Sequence, residues 1–147
     1  MTLDLRHIDY GSLNARQKEN FNFQKLSAVL ADFGFVTMRL TDDWGGADFI
    51  AQHIDGDTFL RVQLKGRLTF DAKYENKGLY IAFPYADDWY LFPHDELLAT
   101  VLSDTSTMTG TRSWDEKGSY HFGHLSMQLL RLLAPFRLTG DTIGVTD

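Results

Sequence analysis

Apolar side chains spaced by three and four between residues 14 and 33, namely Phe23, Leu26, Val29, Leu30 and Phe33, predict an amphipathic helix. Ser12 or Asn14 can cap its start, and Gly34 is placed to stop it. The period then shortens. Residues 35–40 predict a strand, 41–46 a loop, and 47–54 with 58–65 the arms of a β-hairpin around Asp55-Gly56, a pair that favours a two-residue type I′ turn. If Ile54 pairs with Asp57, paired positions sum to 111, which sets Asp48 across from Gln63. Lys65, two residues on, points the same way, while Leu60, Val62 and Leu64 take the other face and would anchor the hairpin on a core. Further along, the pattern predicts a polar, aromatic loop over 66–78, strands at 79–83 and 89–92, and a helix from Pro93 to about Leu102 with acidic residues in its first turn. A Ser/Thr-rich loop at 103–113, a short aromatic segment at 120–122 and a helix over about 125–133, ended by Pro135, complete the reading. This order predicts an α+β fold, a central mixed sheet flanked by helices.

Composition bounds the function. A chain of 147 residues, 44% hydrophobic, is long enough to bury a core, and a single domain over 1–147 is expected. No cysteine is present, which removes disulfides, thiolate metal sites and a cysteine nucleophile. No apolar run approaches the ~20 residues that span a bilayer. The first residues lack the basic and apolar sections of a signal peptide, so a cytoplasmic protein without membrane contact is expected. The net charge of −6 opposes a polyanion, so nucleic-acid binding has to rest on a local patch, on metal ions or on a protein partner. The densest basic stretch is Arg61, Lys65, Arg67, Lys73 and Lys77, interleaved with Phe70, Tyr74 and Tyr80; in the register above Arg61 shares the face of Gln63 and Lys65.

The hairpin face thus gathers a carboxylate, an amide and an ammonium. Glu19 is the second informative residue: at ~100° per residue it has nearly the azimuth of Leu26, on the face that should be buried. Either the helix end protrudes and leaves Glu19 in water, or Glu19 points at the polar end of the hairpin beside Asp48, with a metal or Lys65 offsetting its charge. Asp48, Gln63 and Glu19 supply the hard oxygen ligands that suit Mg²⁺, with Mn²⁺ as a substitute. Lys65 could position a water and stabilise charge developing on phosphorus, which together suits phosphodiester hydrolysis.

Glu19 on the first helix, then "GADFIA" with Asp48, then "LRVQLKGR" with Gln63 and Lys65, resembles the PD-(D/E)XK nuclease superfamily. It is most similar to the branch with glutamine in the second acidic position, which includes bacterial intron-homing endonucleases; "DDWYLFPHDELL" resembles the strand and helix entry after the site. The resemblance covers about 14–102, leaving 103–147 as a C-terminal helical extension. It implies an αβββαβ core with a mixed sheet and Mg²⁺-dependent cutting of DNA through the residues matching Asp48, Gln63 and Lys65, with Glu19 as an added helix carboxylate. Ala47 stands where the motif has proline, and Gln63 replaces an acid. Arg61, Arg67, Lys73 and Lys77 are the candidate DNA contacts, and cutting both strands would call for a homodimer. The other expectation, from another class, is a non-catalytic nucleic-acid-binding or protein-interaction module on the same fold. Trp44 could wedge against a base or pack under the hairpin, and His121 with His124 has metal-like spacing but no third ligand.

Overall fold

Asn14 starts the first helix. Its side chain accepts from the Gln17 N–H (2.8 Å) while Gln17 Oε1 accepts from the Asn14 N–H (2.9 Å), a reciprocal capping box. The computed structural model describes residues 2–139, apart from the side chains of Asp43 and Trp44, so the expectation for Trp44 lies outside it. Helix α1 spans Ala15–Asp32 and ends at Gly34, whose φ of 86° turns the chain into β1 (Phe35–Trp44). β1 runs four residues beyond the expected strand. Gly45 and Gly46, both at positive φ (62° and 91°), make the two-residue turn that pairs Trp44 with Ala47 at the start of β2 (Ala47–His53).

The hairpin of β2 and β3 (Phe59–Leu64) has the expected register, with Phe49 against Val62 and Ile50 against Arg61. Its turn is not the expected one. Only Gly56 has positive φ (78°), and the loop closes at the His53 N–H to Thr58 C=O bond (2.9 Å). The Asp55 carboxylate organises that loop, accepting from the backbone N–H of Asp57 and Thr58 and from the Thr58 hydroxyl.

The stretch expected to be a loop contains β4 (Leu68–Asp71) and a 3₁₀ turn at Ala72–Tyr74, and together they form the crossover to β5 (Leu79–Tyr85), which runs parallel to β3. The crossover that the αβββαβ order assigns to a helix is thus made here by a short strand and a single 3₁₀ turn. β6 (Asp88–Pro93) returns antiparallel and leads into α2 (His94–Asp104). Then come α3 (Arg112–Asp115), β7 (Ser119–Phe122), which pairs with β4, α4 (Met127–Leu133) and β8 (Arg137–Leu138). The main sheet has the order β1-β2-β3-β5-β6-β8 and is mixed, with helices on both faces: the fold is α+β.

Two cores explain the layering. Leu26 and Leu30 of α1 pack on Phe49, Ala51, Val62 and Ala82, and on the other face Phe70, Ile81, Phe83 and Phe92 pack with Leu97, Val101, Leu129 and Leu133. Each of the larger side chains among these (Leu, Ile, Val, Phe), fully buried, contributes roughly 1.5–3 kcal/mol. The second layer covers the β5–β6 half of the sheet, whereas Val36, Met38 and Phe59 on the same face of β1–β3 stay more than half exposed. Polar residues can therefore gather at the boundary between covered and open sheet. Among the described residues no helix is long and apolar enough to cross a membrane.

Candidate metal and nucleic-acid site

Asp48 enters the sheet just after the Gly45-Gly46 turn, where the ladder between β2 and β3 runs out. Its Oδ2 accepts from the Leu64 N–H at 2.8 Å, so a side chain takes the place of the next ladder bond. Oδ1 receives no hydrogen bond from the described residues. The carboxyl is held above its ordinary pKa, first because burial disfavours the charge and then because Glu19 repels it; the Leu64 N–H, Lys65 and Arg39 work the other way. A partly buried carboxylate with one uncommitted oxygen and too little compensation is a group that a cation would stabilise.

Asp48 shares a cavity of about 280 Å³ with Gln63, Lys65, Lys73, Lys77 and Tyr74. Alternation along β3 puts Gln63 and Lys65 on one face, and the crossover returns Lys73 and Lys77 to it. The buried ring of Tyr74 organises the cations: the Nζ atoms of Lys65 and Lys73 lie 5.4 and 5.3 Å from its centroid. Five of the expected residues, Asp48, Gln63, Lys65, Lys73 and Lys77, therefore meet. Arg61 stands at the margin, its Nη1 donating to the Lys77 carbonyl at 3.4 Å. Arg67 does not line this cavity; it follows Gly66, which faces a different one.

Glu19 satisfies neither expectation in full. It stands beside Asp48, the two lining an adjoining cavity of about 410 Å³, but its side chain is 54% exposed and its charge is met by Arg39 (3.0 Å), not by Lys65. Arg39 is itself fixed by Asn20 Oδ1 (2.7 Å) and by the Phe23 ring, 4.9 Å from its guanidinium carbon. No cluster of three acidic or histidine side chains able to hold a metal exists among the described residues, so a metal here would rely on Asp48 and the neutral amide of Gln63, with Glu19 available only on leaving Arg39.

Sequence reasoning missed His94. Fully buried, it accepts the Asp71 N–H on Nε2 (3.2 Å), and its Nδ1 donates to Asp95 Oδ1 (2.9 Å). Asp95 Oδ2 accepts the Asn76 N–H (2.9 Å). The start of α2 thereby ties down the 71–76 segment that carries Lys73 and Tyr74. The one signal in the sequence was a His-Asp pair directly after Pro93, at a helix start. His121 is bonded to Thr69 Oγ1 (2.9 Å) across the β4–β7 pair.

No protein-family model and no curated protein matches the sequence significantly. Among solved structures, the chain is similar to Hjc, a Holliday junction resolvase from the archaeal hyperthermophile Archaeoglobus fulgidus, at 20% identity, covering 50% of this chain and 76% of that one, with a TM-score of 0.40. It is also similar to I-Ssp6803I, a bacterial homing endonuclease, at 12% identity, covering 78% and 79% of the two chains, with a TM-score of 0.42. Both TM-scores fall below 0.5, so the function of the site is read from its own residues.

Proposed function

We propose that this protein is a Mg²⁺-dependent nuclease that hydrolyses DNA phosphodiester bonds, with Mn²⁺ able to replace Mg²⁺. The observation that carries this reading is the convergence of the Asp48 carboxylate, the Gln63 amide and the Lys65 ammonium in one cavity with Lys73 and Lys77. Among the described residues, three ammonium groups and one carboxylate line the cavity, and Lys73 also lies 3.9 Å from Asp71 Oδ2; the cavity is locally basic in a chain of net charge −6, which suits a phosphate.

The donor set fits a hard divalent ion: Asp48 Oδ1 and the Gln63 amide oxygen would hold it, and Glu19 would join once released from Arg39. When bound, the ion supplies Lewis acidity toward a phosphoryl oxygen and a more acidic water. Lys65 orients the attacking water and offsets the charge that builds on the phosphoryl oxygens. Lys73 and Lys77 hold the flanking phosphates, and Arg61 donates to the Lys77 backbone carbonyl. Arg67, outside the cavity, contributes to a more distant phosphate. One copy of the chain carries one site and nicks; cutting both strands calls for a homodimer.

The test is cleavage of plasmid and single-stranded DNA in Mg²⁺ or Mn²⁺, with EDTA as control, by the wild type and by Asp48→Ala. Metal-dependent cutting by the wild type, lost in Asp48→Ala, is the expected result. A second reading has its own observation: among the described residues only Asp48 brings a carboxylate to the lysine cavity, since Arg39 holds Glu19. That favours a non-catalytic nucleic-acid-binding module, and DNA binding that needs no metal and yields no cleavage would decide for it.

A further inference from the structure

On the α1 side of the sheet, a cavity of about 550 Å³ lies against the end of β3, walled by Tyr10, Phe21 and Trp89 with Lys25 and Gly66; Tyr85 borders it, but its side chain packs with the opposite core and its hydroxyl accepts from the Leu125 N–H. Its volume is in the range of small-ligand sites, roughly 300–1,000 Å³. We propose that this cavity receives an unpaired base of the DNA strand whose phosphate lies at Lys65, Lys73 and Lys77, an inference that rests on reading that lysine cavity as a phosphate site.

Continuity is the first ground. Lys65 lines the phosphate cavity and Gly66, the next residue, lines the aromatic one. Consecutive Cα atoms are about 3.8 Å apart, so one nucleotide can place its phosphate on one side of this backbone segment and its base on the other. Gly66 supplies the second ground. Its φ is not in the left-handed region, and a Cβ added there would meet nothing within 4 Å. Neither the backbone nor the packing calls for glycine, and its missing side chain leaves open space at the segment that borders both cavities.

The walls match a base in kind. Tyr10 is held by the Asn22 side chain, which donates to its hydroxyl (2.9 Å), and its ring packs at 5.2 Å from that of Phe21. Lys25 Nζ lies 5.3 Å from the Phe21 centroid, beside the path of a polyanion. Aromatic faces with adjacent cations are the common platform for unpaired bases, because every base offers a π-face. Asp87 adds a preference. Its neighbour Asp88 is engaged by Arg137 (3.3 Å), whereas Asp87 makes no hydrogen bond or ion pair with the described residues and stands at the rim as an acceptor. A carboxylate there pairs with the exocyclic amine of adenine, cytosine or guanine, which thymine lacks.

The experiment uses a single-stranded DNA oligonucleotide carrying 2-aminopurine, titrated with the full chain in EDTA so that binding is read without cleavage. The wild type is expected to quench the 2-aminopurine emission as the base stacks. Gly66→Val should bind through the lysines without that quenching, and Asp87→Ala, which removes the acceptor, should lose the preference for adenine over thymine in unlabelled competitors. Should Gly66→Val fail to fold, Tyr10→Ala, at a position 40% exposed, replaces it and should weaken binding about 10-fold, the size of one lost base–aromatic stack. Full quenching by Gly66→Val, or binding by the wild type with unchanged emission, overturns the base site and leaves the nuclease reading to its own cleavage test. Quenching by a wild type that cuts nothing in Mg²⁺ upholds the base site while the nuclease reading falls. No binding at all overturns both.

Discussion

At Asp48 the carboxylate terminates a β-ladder, accepts one backbone N–H, keeps one oxygen free of hydrogen bonds from the described residues, and lines a cavity with lysines. Its raised pKa, caused first by burial, has a definite sign in stability. The fold disfavours the ionised form, so the penalty is absent below the ordinary carboxylate value of about 4 and grows as pH rises above it. Asp48→Asn, which can still accept from Leu64, should therefore raise the melting temperature at pH 7. The difference should shrink to nothing near pH 4, and thermal melts of both proteins at the two pH values check it. Millimolar Mg²⁺ should narrow the gap at pH 7 by stabilising the wild type through binding. His94 is the opposite kind of residue, buried and satisfied on both nitrogens. His94→Phe leaves the Asp71 N–H without its acceptor and should cost about 2 kcal/mol, lowering the melting temperature by roughly 4–8 °C and loosening the lysine segment.

Elements were legible where periodicity decides them and not where a turn does. The site register was right although its turn was wrong: closing the loop at Ile54 and Asp57 or at His53 and Thr58 gives the same sum of paired positions, so Asp48, Gln63 and Lys65 share a face either way. The Asp-Gly signal misled because the Asp55 carboxylate bonds three groups of the loop itself, a local geometry with only Gly56 at positive φ. The tight turns sit elsewhere, at Gly45-Gly46 and at Ala86-Asp87, where Ala86 (φ 50°) and Asp87 (φ 67°) carry conformations that glycine adopts freely. Tertiary pairing of β5 with β6 imposes that turn against local preference. Ala86→Gly should accordingly stabilise the protein by roughly 0.5–1 kcal/mol, measurable by urea denaturation.

For the whole molecule, what could not be read from the sequence is what the crossover and helix packing bring together. Lys73 and Lys77 reach the cavity because β5 returns parallel to β3 over a 3₁₀ turn, and Glu19 is held by Arg39 because α1 lies across β1; neither follows from spacing along the chain. The outcome is a locally basic site on an acidic chain, so DNA binding should be short-ranged and sensitive to salt. With three lysines on phosphates, the logarithm of the affinity for single-stranded DNA should fall with the logarithm of salt concentration at a slope of about −2. Lys73→Ala and Lys77→Ala should each reduce that slope by about 0.7, as read by fluorescence anisotropy across a salt series.

The most direct measurement of the central claim is the rate of DNA cleavage in Mg²⁺ by the wild type and by Lys65→Ala, with the folded state of both verified by circular dichroism. Lys65 is only partly buried, so its loss should leave the fold intact while removing the group that positions the attacking water. A fall in rate of at least about 100-fold is expected. Equal rates in the two proteins would contradict the assignment of this cavity as the site of phosphodiester hydrolysis.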